Sequence, residues 1–432
     1  MAKFILRRFF LLLLTMVLVS IAVFLITESS PGNVARNVLG AFVTPEQEAS
    51  FLAQMGLDKP VYTRYLYWLF GNDWYASLKV GLPLKRISTE EGFEEWWGVR
   101  EDGALIRWKL LGEDLIAIVK FADGTISEYG NNERWQTNQN GVTSFSGVDT
   151  QNHVVDWEKD SDHKVWTFVM GTGWMETTGG PVNYIPLKKG FIRGDPGLSL
   201  RTGRPVSKSL FIRLRNSLVL AGLAFFIVMP LALFLGVIAG LKEGTIRDRA
   251  LSIGGMMFSV TPEFATGIFL IFIVAVWLGI LPGATVFGEK APWERPDMLI
   301  LPVLTLTLIE LGYVLRITRA SMVEVMRSPY IRTAFLKGLP YWRIVFKHAI
   351  RNALMAPITV IMLHVNWLMG GIVIVEVVFG YPGLGKYLLD SALYKDINAL
   401  EAGAMILVTV AVGTQLIADI IYTFLNPRIR YT

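Results

Sequence analysis

The 432-residue chain contains no cysteine and only four histidines. Without thiols, it can form neither a disulfide framework nor a thiolate metal site. No Ser/His/Asp, Cys/His or zinc-binding H-E-x-x-H arrangement stands out, and His153 and His163, which lie among three aspartates, match no strong metal-ligand spacing. The sequence therefore predicts a protein that is not an enzyme and that has no metal or other cofactor.

Charged side chains make up only 18% of the chain, whereas hydrophobic ones make up 52% and the mean hydropathy is +0.44. This composition is typical of a protein with several membrane spans. The net charge of +5 is unevenly distributed, because residues 72–190 contain 18 acidic and 12 basic side chains. The remaining positive charge lies mostly beside apolar runs, which indicates membrane orientation, and we expect no nucleic-acid partner.

Six apolar runs approach or exceed the roughly 20 residues that cross ~30 Å of hydrocarbon. They cover residues 8–28, 216–241, 255–281, 298–320, 353–379 and 401–425. The first has a basic start like that of a signal peptide, but its apolar core, Phe9 to Ile26, is longer than the usual ~7–15 residues and no clear cleavage site follows. We therefore expect a retained anchor and a polytopic membrane protein with six transmembrane helices.

The lysines and arginines of the short loops predict the orientation of these spans. The inner side would hold a basic segment near the C-terminus together with Lys3, Arg7, Arg8, Lys242, Arg247, Arg249, Arg428 and Arg430. The outer side would hold only Lys290, Arg295, Lys386 and Lys395. Because basic loops stay on the cytoplasmic side, both termini are predicted to be cytoplasmic and residues 29–215 external.

The predicted external region changes character along its length. Its first part has the pattern of short helices, one of which begins at Thr44-Pro45 with a capping threonine and a proline at the first helical position. Residues 72–190 contain eight of the 13 tryptophans, a hairpin signal at Asp123-Gly124 and recurring strand patterns. The strand patterns cover Ala104–Leu110, Leu115–Phe121, Thr125–Tyr129, Val142–Phe145, Val154–Trp157 and Val165–Met170. We expect a small antiparallel β domain, inserted in the first external loop, with most of its tryptophans in the core and one or two exposed.

The basic segment, Arg332 to Pro357, lies between the fourth and fifth apolar runs. It contains five lysines and arginines and no acidic residue. Apolar residues recur at helical spacing on both sides of Gly338-Leu339-Pro340, which interrupts the pattern. Two short helices bent at a glycine, held under a membrane domain, are suited to docking into a groove on a soluble partner.

The basic segment resembles the ATPase-coupling loop of ABC importer permeases, in which a pair of small residues precedes a glycine, and an apolar residue and a proline follow. Here these positions are Thr333-Ala334, Gly338, Ile350 and Pro357. Four further stretches match the dipeptide, oligopeptide and nickel permeases, over about residues 1–71 and 191–432. They are RRFFLLLL near the start, GDPGLSLRTGRPVS, VFGYPGLGKYL and the terminal NPRIRY.

The resemblance implies a subunit of a bacterial or archaeal cytoplasmic-membrane importer. Such permeases work with a second homologous permease, two cytoplasmic ATP-binding subunits and an extracytoplasmic solute-binding protein. Thr333, Ala334 and Gly338 would lie on the coupling segment, with Ala334 allowing close approach to an ATPase groove and Gly338 permitting the bend. Peptides are the leading solute, while oligosaccharides and nickel complexes stay open.

One short stretch imitates a nucleotide-binding loop. Gly380 to Lys386 matches G-x-x-x-x-G-K, but Tyr387 stands where a serine or threonine would hold Mg²⁺. The predicted topology also places this stretch outside, away from cytoplasmic ATP. A Gly/Pro turn at the end of a membrane helix is the better interpretation, so ATP hydrolysis is assigned to partner subunits.

Several ionisable residues lie within or near the ends of the apolar runs. Glu310 and Glu376 are candidates for the solute path, since a buried ionisable group usually faces a protein interior or a wet cavity. A structural hydrogen bond or ion pair, for example with Arg316, is an equal alternative. Structural roles are favoured for Asp419 and His364. For Glu263, where the family more often has an uncharged residue, both interpretations stay open.

These predictions divide the chain into residues 1–71, with the first span and an external helical part, residues 72–190, the β insert, and residues 191–432, the permease core. A rival function is a membrane-anchored sensor or adhesion protein in which the insert is the working part. A single anchor would suffice for that function, so the six spans and the coupling pattern argue against it. An ion-driven secondary transporter is a weaker alternative, because the two halves show no evident inverted repeat.

Overall fold

The computed structural model of the protein describes residues 2–29, 34–40, 42–89, 93–111, 114–129, 135–137, 143–148, 154–159, 165–178, 183–287 and 291–425. The chain is mainly helical and contains small antiparallel β-sheets in its N-terminal half. It divides into two compact units. The helical unit comprises Met1–Val23, Leu210–Asp390 and Gly403–Thr432, and the mixed unit comprises Phe24–Ser209 and Ser391–Ala402. The predicted boundaries at residues 71 and 190 both fall inside the mixed unit.

The elements follow one another in three groups. The first helices are α1 (Ala2–Ser29), α2 (Val34–Leu39), α3 (Pro45–Met55), α4 (Val61–Phe70) and α5 (Asp73–Val80). The strands are β1 (Leu84–Ser88), β2 (Glu94–Val99), β3 (Leu105–Leu111), β4 (Asp114–Lys120), β5 (Ile126–Tyr129), β6 (Trp135–Thr137), β7 (Thr143–Val148), β8 (Val154–Lys159), β9 (Val165–Val169), β10 (Gly173–Thr178) and β11 (Asn183–Pro186). The later helices are α6 (Val206–Leu241), α7 (Ile246–Val260), α8 (Glu263–Leu270), α9 (Ile300–Met326), α10 (Pro329–Leu336), α11 (Tyr341–Arg343), α12 (Ile350–Ala353), α13 (Met355–Val378), α14 (Leu384–Leu393) and α15 (Ile397–Leu425). Wider π-helical turns extend α8 through Ile271–Trp277 and join α11 to α12 through Ile344–Ala349.

Within the described residues, five helical segments are long and apolar enough to cross a membrane, and a bent pair of helices raises the number to six if it counts as one span. The bent pair is Ile246–Val260 with Glu263–Trp277, which meet at 107°. The expected continuous run over residues 255–281 is therefore broken. Pro262 has no N–H for a helical hydrogen bond and favours an extended residue before it, and Thr261 accordingly has φ −77° and ψ 130°.

Glycines bring the helices of the helical unit into close contact. A Cβ on Gly236 would lie 2.5 Å from Cβ of Thr318, and one on Gly240 would lie 2.6 Å from Cβ of Met322, so α6 packs closely on α9. A Cβ on Gly312 would lie 2.6 Å from the carbonyl carbon of Gly255, where α9 meets α7 backbone to backbone. Small residues at helix contacts are typical of membrane bundles, in which van der Waals packing drives association.

The described strands of the β-rich part form three antiparallel sheets, with strand orders β1-β2-β3-β4-β5, β11-β10-β9 and β6-β7-β8. The predicted hairpin turn joins β4 to β5, with Gly124 at φ +89° and the Thr125 N–H donating to Asp123 Oδ1 at 2.9 Å. Each of the six predicted strands corresponds to an observed one. The prediction missed β1, β2, β6, β10 and β11. In β2, for example, Trp96, Trp97 and Gly98 are consecutively buried, so no alternating pattern marks the strand.

The core of this part is built from tryptophans and aliphatic side chains. Trp96, Trp97, Trp108 and Trp174 are at most 5% exposed, whereas Trp74 is 59% exposed. Of the tryptophans in residues 72–190 whose side chains are described, most are therefore in the core and one is exposed. The helix predicted at Thr44-Pro45 is α3, and the Thr44 hydroxyl accepts a hydrogen bond from the Gln47 N–H at 3.3 Å.

The two ends of residues 72–190 lie side by side. The Asn72 N–H donates to the Lys188 carbonyl at 2.8 Å, and the Lys188 N–H donates back to Asn72 Oδ1 at 2.7 Å. The Asn72 amide also donates to the Pro186 carbonyl at 2.9 Å. At Gly190, where φ is +98°, a Cβ would lie 2.8 Å from the Phe70 carbonyl oxygen. Glycine at this position permits the close approach of the two chain segments.

Candidate functional site

The basic segment forms a helix, a tight turn and a second helical stretch. α10 ends in a Schellman motif, in which the Gly338 N–H donates to the Phe335 carbonyl at 2.9 Å and the Leu339 N–H donates to the Ala334 carbonyl at 3.4 Å. Gly338 has φ +72°, a conformation that glycine adopts without strain. Pro340 follows as the N-cap residue of α11. The bend predicted from Gly338-Leu339-Pro340 is thus present as a hydrogen-bonded turn.

One side of the basic segment packs against the chain's own helices. Its buried cluster consists of Met322, Ile331, Ala334, Ile344, Val345, Ala349 and Ala353. Ala334 is only 6% exposed, so its side chain faces this cluster. The small residue allows α10 to lie close to the helices behind it, and its close approach to a partner groove stays a prediction. Pro357 is also buried, in the first turn of α13, where a missing N–H is tolerated.

The other side of the basic segment is exposed and combines large apolar side chains with cations. Leu336 is 82% exposed, and Phe335, Tyr341, Trp342 and Phe346 are between 45% and 70% exposed. The exposed cations are Arg332, Lys337, Arg343, Lys347 and Arg351. The Arg343 guanidinium lies 5.4 Å from the Trp342 ring centroid. Thr333 is exposed too, and its hydroxyl donates to the Pro329 carbonyl at 3.0 Å.

Polar contacts attach the basic segment and the neighbouring helix ends to one another. Asn352 Nδ2 donates to the Tyr330 hydroxyl at 2.9 Å, and the Ser321 hydroxyl donates to the Ala353 carbonyl at 2.7 Å. Nearby, Arg319 of α9 forms a bidentate pair with Asp248 of α7, with Nη2 2.7 Å from Oδ2. These contacts connect the basic segment to α9, and α9 to α7.

Glu310 and Glu376, the predicted solute-path residues, are 1% and 0% exposed, in α9 and α13 respectively. Glu376 accepts hydrogen bonds from the Ser217 hydroxyl and, at 3.0 Å, from the Lys386 backbone N–H. A Cβ on Gly383 would lie 2.5 Å from Glu376 Oε2. Glu376 therefore fastens the glycine-rich turn after α13 onto α6.

The same contacts show why this turn is unsuited to phosphate. The N–H groups of Leu384 and Lys386 donate to the Ser217 hydroxyl, at 2.7 Å, and to the Glu376 carboxylate. The Ser217 hydroxyl and the Glu376 carboxyl group thus already occupy the N–H groups that would hold a nucleotide phosphate. The Lys386 ammonium pairs with Asp390 at 3.1 Å.

Some predicted features cannot be placed. His153, Asp160, Asp162, His163 and the terminal NPRIRY lie outside the described residues, as do the side chains of Asp156, His364 and Asp419.

Other features of the bundle were missed from the sequence. The pattern of Gly236 and Gly240, G-x-x-x-G, is a known signal for close helix packing. The Asp248–Arg319 pair had no such signal, because its partners lie 71 positions apart.

Two family models match the chain. The model for the binding-protein-dependent transport system inner membrane component matches residues 232–431, and the model for the N-terminal part of such membrane components matches residues 1–76. The oligopeptide transport system permease protein AppB of Bacillus subtilis is 34% identical over 254 residues, which cover 58% of this chain and 80% of AppB. The chain belongs to the family of binding-protein-dependent transport system inner membrane components.

Other members of this family are similarly related. The dipeptide transport system permease protein DppB of Escherichia coli K12 is 31% identical over 57% of this chain and 80% of DppB. A probable peptide ABC transporter permease of Sinorhizobium fredii is 33% identical over 58% of this chain and 80% of its own length. A solved structure, an amino acid ABC transporter with histidines, aligns with a TM-score of 0.41 and 17% identity over 50% of this chain and 94% of its own. Residues 77–231, which contain most of the β insert, lie outside both family models.

Proposed function

We propose that this chain is the transmembrane permease subunit of an ATP-driven importer of peptides or similar small solutes, and that the basic segment couples it to cytoplasmic ATPases. The observation that carries the proposal is the division of this segment into two faces. One face is packed into the bundle, and the other presents aromatic and basic side chains at an ordered turn. Peptides are the favoured solute class because AppB and DppB are named as oligopeptide and dipeptide permeases.

In this proposal the exposed face of α10 and α11 fits a groove on an ATPase subunit. When the two ATPase subunits bind ATP and close on each other, they would displace the segment as a rigid body. The buried cluster behind Ala334 and the Ser321–Ala353 hydrogen bond connect it to α9, and the Asp248–Arg319 pair connects α9 to α7. Such packed contacts favour switching between discrete inward-open and outward-open arrangements over gradual deformation.

The remaining parts follow from the same proposal. A second homologous permease would complete the solute path, and an extracytoplasmic binding protein would deliver the solute. Both termini would be cytoplasmic, in a bacterial or archaeal cytoplasmic membrane. Glu310 and Glu376 are the proposed ionisable groups of the path, with Glu376 acting through the turn that it positions. ATP would be hydrolysed by the partner subunits alone.

A charge substitution on the exposed face tests the coupling role. Leu336→Glu alters a side chain that is 82% exposed, so the fold should be retained while an acid enters the proposed docking face. We expect the ATPase subunits to be lost on co-purification and ATP-dependent uptake into proteoliposomes to be abolished. Val286→Glu is the matched control, because Val286 is 70% exposed in the loop before α9, on the predicted outer side. Retention of the ATPases and of uptake by the Leu336 variant would refute the proposal.

A further inference from the structure

Helix α4 lies against the last turns of the first membrane span. The span covers Phe9–Glu28, and 20 residues at 1.5 Å each extend about 30 Å, the thickness of the hydrocarbon core. Glu28 therefore marks the end of the span, and Phe24 lies about 6 Å deeper. The depth of any side chain that contacts these two residues is fixed relative to the membrane.

The contacts of α4 give this depth residue by residue. Arg64 pairs with Glu28 at 2.5 Å, level with the end of the span. The Tyr65 ring packs edge-on against Phe24 at 5.1 Å between centroids, and the Trp68 ring lies 6.5 Å from Phe24. The second half of α4 is thus level with Phe24, within the last turn of the apolar span.

The opposite side of α4 is apolar and exposed. Tyr62, Leu66 and Phe70 recur every four residues and share a face, with exposures of 71%, 47% and 51%. Trp74, 59% exposed, lies in α5, beyond the helix break at Gly71. The only charged residue of α4 is Arg64, and the Glu28 carboxylate already neutralises it. In α1, Leu25 beside Phe24 is also 53% exposed.

We infer that α4 is an interfacial helix, whose face of Tyr62, Leu66 and Phe70 lies in the boundary between the lipid headgroups and the acyl chains. Amphipathic rings of tyrosine and tryptophan concentrate at this depth, and a helix that exposes apolar side chains there buries them in lipid. Tyr67, on another side of α4, packs against the tryptophan core of the β-rich part. The helix therefore holds the β-rich part against the membrane surface.

Because the chain lacks cysteine, single cysteines report on this surface directly. Leu66→Cys and Phe70→Cys would be spin-labelled in the full-length chain, purified with its accompanying subunits and reconstituted in nanodiscs of phosphatidylethanolamine and phosphatidylglycerol. Accessibility to oxygen, which concentrates in lipid, is compared with accessibility to the water-soluble complex Ni(II)-EDDA. Leu14→Cys in the middle of α1 is the lipid reference, and Ile126→Cys on β5 is the aqueous one, with wild-type exposures of 54% and 61%.

We expect the oxygen-to-nickel ratio at both α4 sites to be several-fold above that at Ile126 and at or below that at Leu14, which lies within the hydrocarbon. A ratio equal to that at Ile126 would show that the face is in water and would overturn the inference. Low accessibility to both reagents would overturn it as well, because a protein neighbour would then cover the face. Two label sites guard against a local disturbance at either one.

Discussion

Two glycines of the helical unit are needed for different physical reasons. Gly338 has a left-handed backbone, yet a Cβ there would meet no atom within 4 Å. Gly312 lies inside a helix, but a Cβ there would lie 2.6 Å from a backbone carbon of Gly255. Gly338 can therefore be replaced by residues that accept φ near +72°, whereas any substitution of Gly312 must separate two helices.

Gly338→Leu should weaken coupling through backbone strain alone. A left-handed conformation costs an ordinary residue about 1–2 kcal/mol, which lowers the population of the turn by a factor of roughly 5–30. Asparagine tolerates this conformation better, so Gly338→Asn is the matched control. We expect normal membrane insertion of both variants and poorly coupled ATP hydrolysis only with leucine, measured as solute taken up per ATP hydrolysed in proteoliposomes. Wild-type coupling in the leucine variant would contradict the role assigned to the turn.

At the scale of elements, α9 organises the helical unit. It meets α7 at Gly255 and Gly312, and it meets α6 at Gly236 and Gly240. Lipid tails are as apolar as the helices, so close packing of this kind replaces the hydrophobic driving force available to soluble proteins. The α7–α9 contact is the stricter one, because backbone faces backbone and neither side can yield by changing a rotamer.

Gly312→Ala should therefore destabilise the bundle, although alanine is the best helix former. Overpacking costs typically 1–3 kcal/mol, and the methyl group here would meet a main chain that cannot move aside. Gly254→Ala is the control, since Gly254 is on the same helix as Gly255 and a Cβ there meets nothing within 4 Å. The measurement is the temperature at which heating removes half of the monodisperse peak in size-exclusion chromatography. We expect this midpoint temperature to be lowered by Gly312→Ala only. Equal midpoints would mean that the two helices separate without penalty.

Local chemistry explains which elements were predictable. The turn at Gly338, the start of α3 at Thr44 and the hairpin at Asp123-Gly124 depend on neighbours within a few residues, and each was predicted from them. The break at Pro262 also had a local signal, but the apolar run around it suggested an unbroken span. Strand β2 could not be recognised, because both of its faces are covered and its alternation is lost.

The orientation of side chains and the contacts between residues that are distant in sequence cannot be predicted from such local patterns. Ala334 was recognised as a small residue of the coupling pattern, but its inward orientation depends on Ile344 and Val345, which follow the turn. Glu376 was recognised as an ionisable residue in a span, and its hydrogen bond to Ser217, 159 positions earlier, follows only from the fold. The candidate site was thus predicted as a segment, while the roles of its side chains required the structure.

At the scale of the whole molecule, the first and last residues of the insert lie side by side. Asn72 connects the two ends through its bonds to Pro186 and Lys188. Lys188 itself lies among charged groups of the mixed unit, where burial lowers the pKa of its ammonium and the Glu401 carboxylate opposes that shift. A deletion of the insert that leaves the neighbouring residues undisturbed must therefore retain Lys188 and Asn72. It must also retain Asp73, which forms an ion pair with Arg193.

Replacing residues 74–186 with a short Gly/Ser linker should remove the insert with little strain, because the ends are already adjacent. The same linker placed between Asp123 and Gly124, an exposed turn, leaves the insert complete and serves as the control. We expect the shortened permease to assemble with its partners and to keep basal ATP hydrolysis, since the coupling segment is untouched. Stimulation of hydrolysis by the solute-loaded binding protein should fall, because an acidic, tryptophan-rich domain that is predicted to be external suits contact with that protein or its solute. Failure to assemble would identify the insert as structural, and unchanged stimulation and uptake would show that it serves something other than import.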